Sequence, residues 1–218
     1  MSFYTTLDCA VKLTFVAMPS PTPLRETFRA LRRATPLSTR QHAARQLAER
    51  VASLRIFAAA RHIAGYLAFD GEIDPAPLLE RALALGKHVY LPVLTSNPGN
   101  AMLFARYQPG LALKPNRFGI PEPQVSGEAL LAPEHVDLVL TPLVAFDTSG
   151  NRLGMGGGFY DRTFAFERHP GHHCRPLLLG LAYELQKVEH LNRRPWDVTL
   201  DGIATEQALY PGSNGLLE

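Results

Sequence analysis

The chain is poor in cysteine, in charge and in long apolar runs, and each shortage excludes something. Its two cysteines, Cys9 and Cys174, lie far apart and in no metal-ligand spacing, which excludes a disulfide framework and suits a reducing compartment. No apolar run approaches the roughly 20 residues that span a bilayer, so no membrane partner is expected. Residues 11–18 are apolar, but they follow Asp8 without a strong basic flank, so no signal peptide is expected and the cytoplasm is the expected location. A formal net charge of only +2 gives no reason to expect nucleic-acid binding. Two nucleotide-binding signatures are also missing: there is no Gly-Lys-Ser/Thr of a Walker A loop and no convincing dinucleotide fingerprint.

What is present suits one soluble enzyme domain. With 46% hydrophobic residues in 218, folding can bury roughly 70% of the surface that the unfolded chain exposes. Residues 1–22 read as a flexible leader, with Met18 a candidate natural start, because prolines 19, 21 and 23 should keep any regular element from crossing. Residues 23–212 read as a single catalytic α/β domain and 213–218 as a tail, with a monomer as the default state.

Periodicity supplies the elements. Leu24, Phe28 and Leu31 make one apolar stripe among arginines. After Pro36, Ser38 is placed to cap a helix that carries Ala44, Leu47, Ala48 and Val51. Residues 62–69 have strand length and close on Asp70-Gly71. Asp74-Pro75 opens a helix with Leu78, Leu79, Ala82 and Leu85 on its buried face, and Gly86 ends it. Residues 89–94 form the next strand, and strand–helix–strand at this spacing is a βαβ unit. Residues 102–107 then add a hairpin, 109–123 are loop by composition, and 136–142, continued by 143–146, form the clearest buried strand. Residues 176–182 and 202–205 follow. The fold class is α/β: three layers, a largely parallel central sheet and helices on both faces.

The chemistry concentrates in residues 147–162. Glycines 154, 156, 157 and 158 allow φ > 0 and close approach of backbone to a ligand, so successive N–H groups can form an anion-binding concavity. Arg152 at its entrance can contact a phosphate oxygen. Asp161 at its exit suits a hard cation. The pattern equally suits a tight strand-to-helix turn with one salt bridge. Glu72, Phe118, Trp196 and Asp197 are open to two readings each: a loop acid, a loop anchor, a core residue and a surface ion pair on one side, site residues on the other. Residues His172-His173-Cys174 suggest no metal site, since adjacent histidines rarely face one ion.

Residues 152–161, Arg-Leu-Gly-Met-Gly-Gly-Gly-Phe-Tyr-Asp, resemble the signature of the 5-formyltetrahydrofolate cyclo-ligase family. Further segments match in order: Leu24-Arg25, residues 66–74 with Gly-Glu-Ile-Asp, 91–93, 118–123, 141–147, and Trp196-Asp197 ahead of 204–206. The resemblance implies cyclisation of 5-formyltetrahydrofolate, including polyglutamylated forms, to 5,10-methenyltetrahydrofolate. ATP would be hydrolysed to ADP and phosphate with magnesium (Mg2+), through phosphorylation of the formyl oxygen and attack by N10. It also implies the NagB/RpiA/CoA-transferase-like layout. Arg25, Arg152, Leu153, Gly154, Met155, Gly156, Gly157, Gly158, Phe159 and Tyr160 would hold the nucleotide, with Arg152 and Asp161 catalytic. Leu67, Glu72, Phe118 and residues 154–158 would border the folate, and Asp161 and Asp197 would hold magnesium. Two departures stand out. Pro21 occupies the place of a second basic residue, for which Arg29 or Arg32 are candidate substitutes, and Phe159 stands where tyrosine is commoner. A sugar-phosphate isomerase or CoA-transferase-like enzyme and a non-catalytic folate or nucleotide binder are the competing classes.

Overall fold

The computed structural model describes residues 21–95, 101–125, 129–168 and 176–212. The leader up to residue 20, the tail from 213 and His172-His173-Cys174 lie outside the described residues.

Helix α1 (Pro21–Ala34) opens inside the proline run instead of after it. First-turn N–H groups have no partner within a helix, so Pro21 and Pro23 cost nothing there. Its buried face is also rotated from the expected stripe. Phe28 is buried and so is Arg32 four residues on, whereas Leu31 is 46% exposed. In α2 (Leu37–Ala52), Ser38 lies within the first turn and caps nothing, yet Ala44, Leu47, Ala48 and Val51 are buried as their spacing predicts. The short α3 (Arg55–Ala59) follows.

Strand β1 (His62–Ala64) is only three residues long. It stops at Gly65, where a Cβ would lie 2.7 Å from the Leu79 side chain, and the chain then leaves the sheet. In α4 (Ala76–Ala84) the N-cap is Pro75, one residue later than expected, while Asp74 Oδ1 accepts the Ala76 N–H at 2.9 Å from just outside the helix. Leu78, Leu79 and Ala82 are buried, but Leu85 lies beyond the last turn and is exposed. Gly86 (φ 73°) ends the helix.

Strand β2 (His88–Leu94) pairs parallel with β1, completing the βαβ unit, and β3 (Met102–Arg106) returns antiparallel. Short β4 (Leu113–Pro115) and β5 (Pro121–Pro123) form a separate ribbon within the segment expected to be loop. Strands β6 (Leu130–Leu131), β7 (Leu138–Pro142), β10 (Leu177–Leu181), β11 (Gly202–Ala204) and β12 (Leu209–Pro211) complete the large sheet. Residues 143–146 do not continue β7. Pro142 has no N–H to extend the ladder, and β8 (Ala145–Phe146) turns away to pair with β9 (Arg152–Leu153).

The sheet order is β12-β11-β10-β7-β1-β2-β3-β6. The pairings from β11 through β10, β7 and β1 to β2 are parallel, and those at both edges are antiparallel. Alternation along the strands divides the core in two. Ile63, Leu138, Leu140 and Leu179 pack with Leu47, Val51 and Leu78 of the long helices. Ala64, Val139 and Leu178 pack on the other side with Phe146, Phe164, Val198 and Leu200. The result is a mixed α/β fold with a large, mostly parallel sheet. Between β1 and β7 the strand order reverses, and in such sheets the crevice at the carboxyl ends of the strands is the binding position.

Leu47 is wholly buried between α2 and the sheet. Leu47→Ala is expected to cost about 2–5 kcal/mol of stability, read as a lower urea midpoint.

Candidate functional site

A cleft of about 1500 Å³ opens at that crevice. Tyr66 and Leu67 beyond β1, Leu91, Pro92 and Leu94 on β2, and Pro142 at the end of β7 line it. Four large apolar side chains line it while remaining exposed: Phe69, Phe118, Met155 and Trp196. Exposed apolar surface concentrated in one concavity marks a binding site. The residues that the resemblance assigns to the site, Arg25, Leu67, Glu72, Phe118, 152–161 and Asp197, line this one cleft, whereas Arg29 and Arg32 do not.

The glycine loop leads from β9 into α5 (Phe159–Thr163). Gly156 (φ 100°) and Gly158 (φ 62°) take left-handed backbone that other residues resist. Among the described residues, no protein group accepts a hydrogen bond from the backbone N–H groups of 155–158. Arg25 Nε donates to Gly154 O at 2.7 Å, bringing α1 against the loop. Arg162 curls back to donate to Gly157 O. Arg152 donates to Val198 O and, at 2.7 Å, to Asp161 Oδ1, which also accepts the Val198 N–H at 3.1 Å. Thus β9, α5 and the segment after Asp197 meet at one carboxylate. Asp197 Oδ2 accepts the Arg194 N–H at 2.8 Å and is held by its own turn. Behind the loop, buried Asp147 accepts N–H groups from Ser149, Asn151 and Leu191, tying the β8–β9 turn to the cleft wall.

This end of the cleft carries Arg25, Arg152, Arg162 and Arg194 against two acids, Asp161 and Asp197. Burial, then the nearby Arg194 charge, lowers the Arg25 pKa, which Asp197 partly restores.

The turn after β1 also lines the cleft. Glu72 Oε2 accepts the Phe69 N–H at 3.2 Å, and Arg32 Nη1 lies 3.8 Å from Oε1. Burial pushes the Glu72 carboxyl up to about 7, against the Arg32 charge. Tyr66 donates to Ile73 O at 2.7 Å, and its hydroxyl is pushed up by burial and by Glu72. The same two causes raise Tyr160 while Arg152 opposes them. Phe118, on the turn between β4 and β5, meets Phe159 edge-on at 5.6 Å, and Arg117 lies over both rings.

Two expectations need correcting. Neither Arg29 nor Arg32 takes the place of the basic residue replaced by Pro21. Asp70 holds Arg29 at 2.5 Å, Arg33 at 3.3 Å and Arg32 at 3.6 Å, so this basic face is occupied by a carboxylate of the protein. Trp196 is not a core residue: it is 56% exposed, lines the cleft and stacks with Arg194. Asp161, expected to suit a hard cation, also faces Arg152 and the Val198 amide. Sequence reasoning also missed Arg162, Arg194 and residues 188–192 on the cleft wall. The only signal was their closeness to Asp161 and to Trp196-Asp197.

Residues 17–206 match the model of the 5-formyltetrahydrofolate cyclo-ligase family. The chain belongs to that family. As a member it is an enzyme, a ligase, and the cleft is its candidate active site. It is 39% identical over 183 residues to the 5-formyltetrahydrofolate cyclo-ligase of Escherichia coli K12, covering 84% of this chain and 98% of that one. The Haemophilus influenzae protein of the same name is 45% identical over 144 residues, 66% of this chain and 75% of its own. The NMR structure of Aquifex aeolicus 5,10-methenyltetrahydrofolate synthetase superposes with a TM-score of 0.72 at 32% identity, covering 88% of this chain and 92% of that one.

Glu72 makes stability depend on pH. Its folded pKa of about 7 exceeds the ordinary 4.5, so folding favours the protonated acid. That contribution is complete below pH 4.5 and is lost as pH rises through 7. Glu72→Gln is therefore expected to be more stable than the parent at pH 8, by on the order of 3 kcal/mol, with the difference shrinking towards pH 4.5 in urea titrations.

Proposed function

We propose that this enzyme converts 5-formyltetrahydrofolate to 5,10-methenyltetrahydrofolate, with ATP hydrolysed to ADP and phosphate in the presence of magnesium. The observation that carries this reading is the meeting, in one cleft, of a glycine loop rich in cationic neighbours and a half-buried acid, Glu72. The loop suits phosphates and the acid a pterin, which offers an amino group and a ring N–H to a carboxylate.

ATP solves a leaving-group problem. A formamide oxygen departs poorly and N10, an aryl amine, attacks weakly. Transfer of the γ-phosphoryl group to the formyl oxygen gives an iminium-like phosphate. N10 then bonds to the formyl carbon, closing the five-membered ring, its proton passes to water or to the departing phosphate, and the carbon–oxygen bond breaks to release phosphate. No covalent nucleophile is required, so position and charge carry the catalysis. In this reading Arg25, residues 152–160 and the 155–158 amides hold the nucleotide. Arg152 offsets charge moving off the γ-phosphate. Glu72 and Leu67 orient the pterin and Phe118 packs on the folate.

The acids fit magnesium of a particular kind. Among the described residues, no group of three His, Cys, Asp or Glu side chains is placed to hold a metal. Magnesium commonly takes only one or two carboxylates, completing its shell with phosphate oxygens and water. Asp161 and Asp197 would hold an ion that arrives with the nucleotide, and it would offset phosphate charge. The same reading treats 23–212 as one catalytic domain of the NagB/RpiA/CoA-transferase-like layout, with the crevice between β1 and β7 in support.

Incubation with 5-formyltetrahydrofolate, ATP and magnesium should raise the near-ultraviolet absorbance of the methenyl product. No signal above a control without ATP would defeat the proposal; turnover of a sugar phosphate or thioester without ATP would favour the isomerase-like class, and binding without turnover a carrier. Asp161→Ala should lower turnover by more than roughly 100-fold. An unchanged rate would remove Asp161 from the metal site.

A further inference from the structure

Arg32 is the largest charged side chain enclosed by the fold, at 0% exposure. It lies behind the cleft wall and does not line the cleft. Its Nη1 donates to Leu143 O at 3.1 Å, while Nε and Nη2 are buried without a hydrogen-bond partner. The charge is aimed at two carboxylates of one turn: Asp70 at 3.6 Å and Glu72 at 3.8 Å. Asp70 is shared with Arg29 and Arg33, whose side chains reach solvent. Glu72 has no such alternative. Enclosing a guanidinium with unsatisfied donors is costly, and packing alone would be better served by leucine or methionine, so the charge itself has a use.

We infer that Arg32 is a positioning residue for the reaction, a sealed cation that keeps Glu72 ionised and therefore able to accept the donor edge of a pterin. The inference rests on Glu72 being the folate-contacting acid. A protonated carboxyl would present a donor where the ligand also presents donors, so binding must weaken with the fraction protonated. Every other group facing Glu72 is weaker or acts the opposite way. The Phe69 N–H and Arg29 favour its charge less than Arg32 does, Asp70 disfavours it, Tyr66 and Tyr160 stay neutral because their hydroxyls are pushed up, and Tyr183 donates only to the Glu72 backbone carbonyl. Even with Arg32 present, burial holds the carboxyl near neutrality, so losing that cation must move its titration across the working range.

The test is the KM for 5-formyltetrahydrofolate between pH 6 and 9, followed by phosphate release at saturating ATP and magnesium. In the parent protein KM should climb as pH falls through about 7. Arg32→Met should move that midpoint upwards by at least about one pH unit, a roughly fivefold higher KM at neutral pH, with kcat at high pH largely kept. Arg32→Lys should bring the midpoint back towards the parent. If Arg32→Met does not fold, Arg32→Gln, which retains a donor for Leu143 O but no charge, carries the same comparison. A purely structural Arg32 would instead lower activity evenly across the range, and an unmoved midpoint overturns the inference. Glu72→Gln separates the two layers of the argument. A high, pH-independent KM upholds the pterin contact, so that an unmoved Arg32→Met midpoint then overturns only the role of Arg32; a parental KM in Glu72→Gln overturns the contact and the inference together.

Discussion

The site depends on one carboxylate that joins three separate pieces of chain. Asp161 receives the Arg152 guanidinium and the Val198 amide, while Arg152 also reaches Val198 O. Without that knot, a loop of glycines between β9 and a five-residue helix would have little to hold it, because glycine raises the conformational entropy lost on ordering. Arg25 adds a fourth attachment from α1 through Gly154 O. A loop tied only at its edges can leave its central amides for a ligand, and preorganised amides stabilise transferred charge without rearranging during the reaction.

The cleft also shows where the fold accepts instability. Phe69, Phe118, Met155 and Trp196 keep apolar surface in solvent, and Glu72 is buried as an acid whose pKa is pushed up to about 7. Each feature is unfavourable in the free protein and, under the proposed function, would become favourable once a pterin and a nucleotide cover the apolar surface and supply donors. Such features belong to a site selected for binding instead of stability.

Much of this was legible in the sequence, for identifiable reasons. The βαβ unit could be read because Leu78, Leu79 and Ala82 keep helical spacing between two apolar runs. The glycine loop could be read because its backbone demands are local. Strand ends were less legible: β1 is only three residues long, and the need for glycine at 65 comes from the Leu79 side chain, a contact between separate elements that no local pattern encodes. Likewise Leu31 looked like the buried partner of Phe28, but the neighbouring turn supplies Asp70 and Glu72, so Arg32 is enclosed instead. Arg162 and Arg194 escaped notice because their roles come from how loops meet. The resemblance placed Arg25, Glu72 and Asp197 in one site before any geometry was known, and the cleft does bring them together.

The central claim is that the formyl oxygen is the atom that receives the phosphoryl group. The most direct measurement uses 5-formyltetrahydrofolate labelled with oxygen-18 in its formyl group, with ATP, magnesium and the protein, followed by mass spectrometry of the released phosphate. The account predicts that the label leaves the folate and appears in the phosphate. Unlabelled phosphate formed together with methenyl product would contradict it.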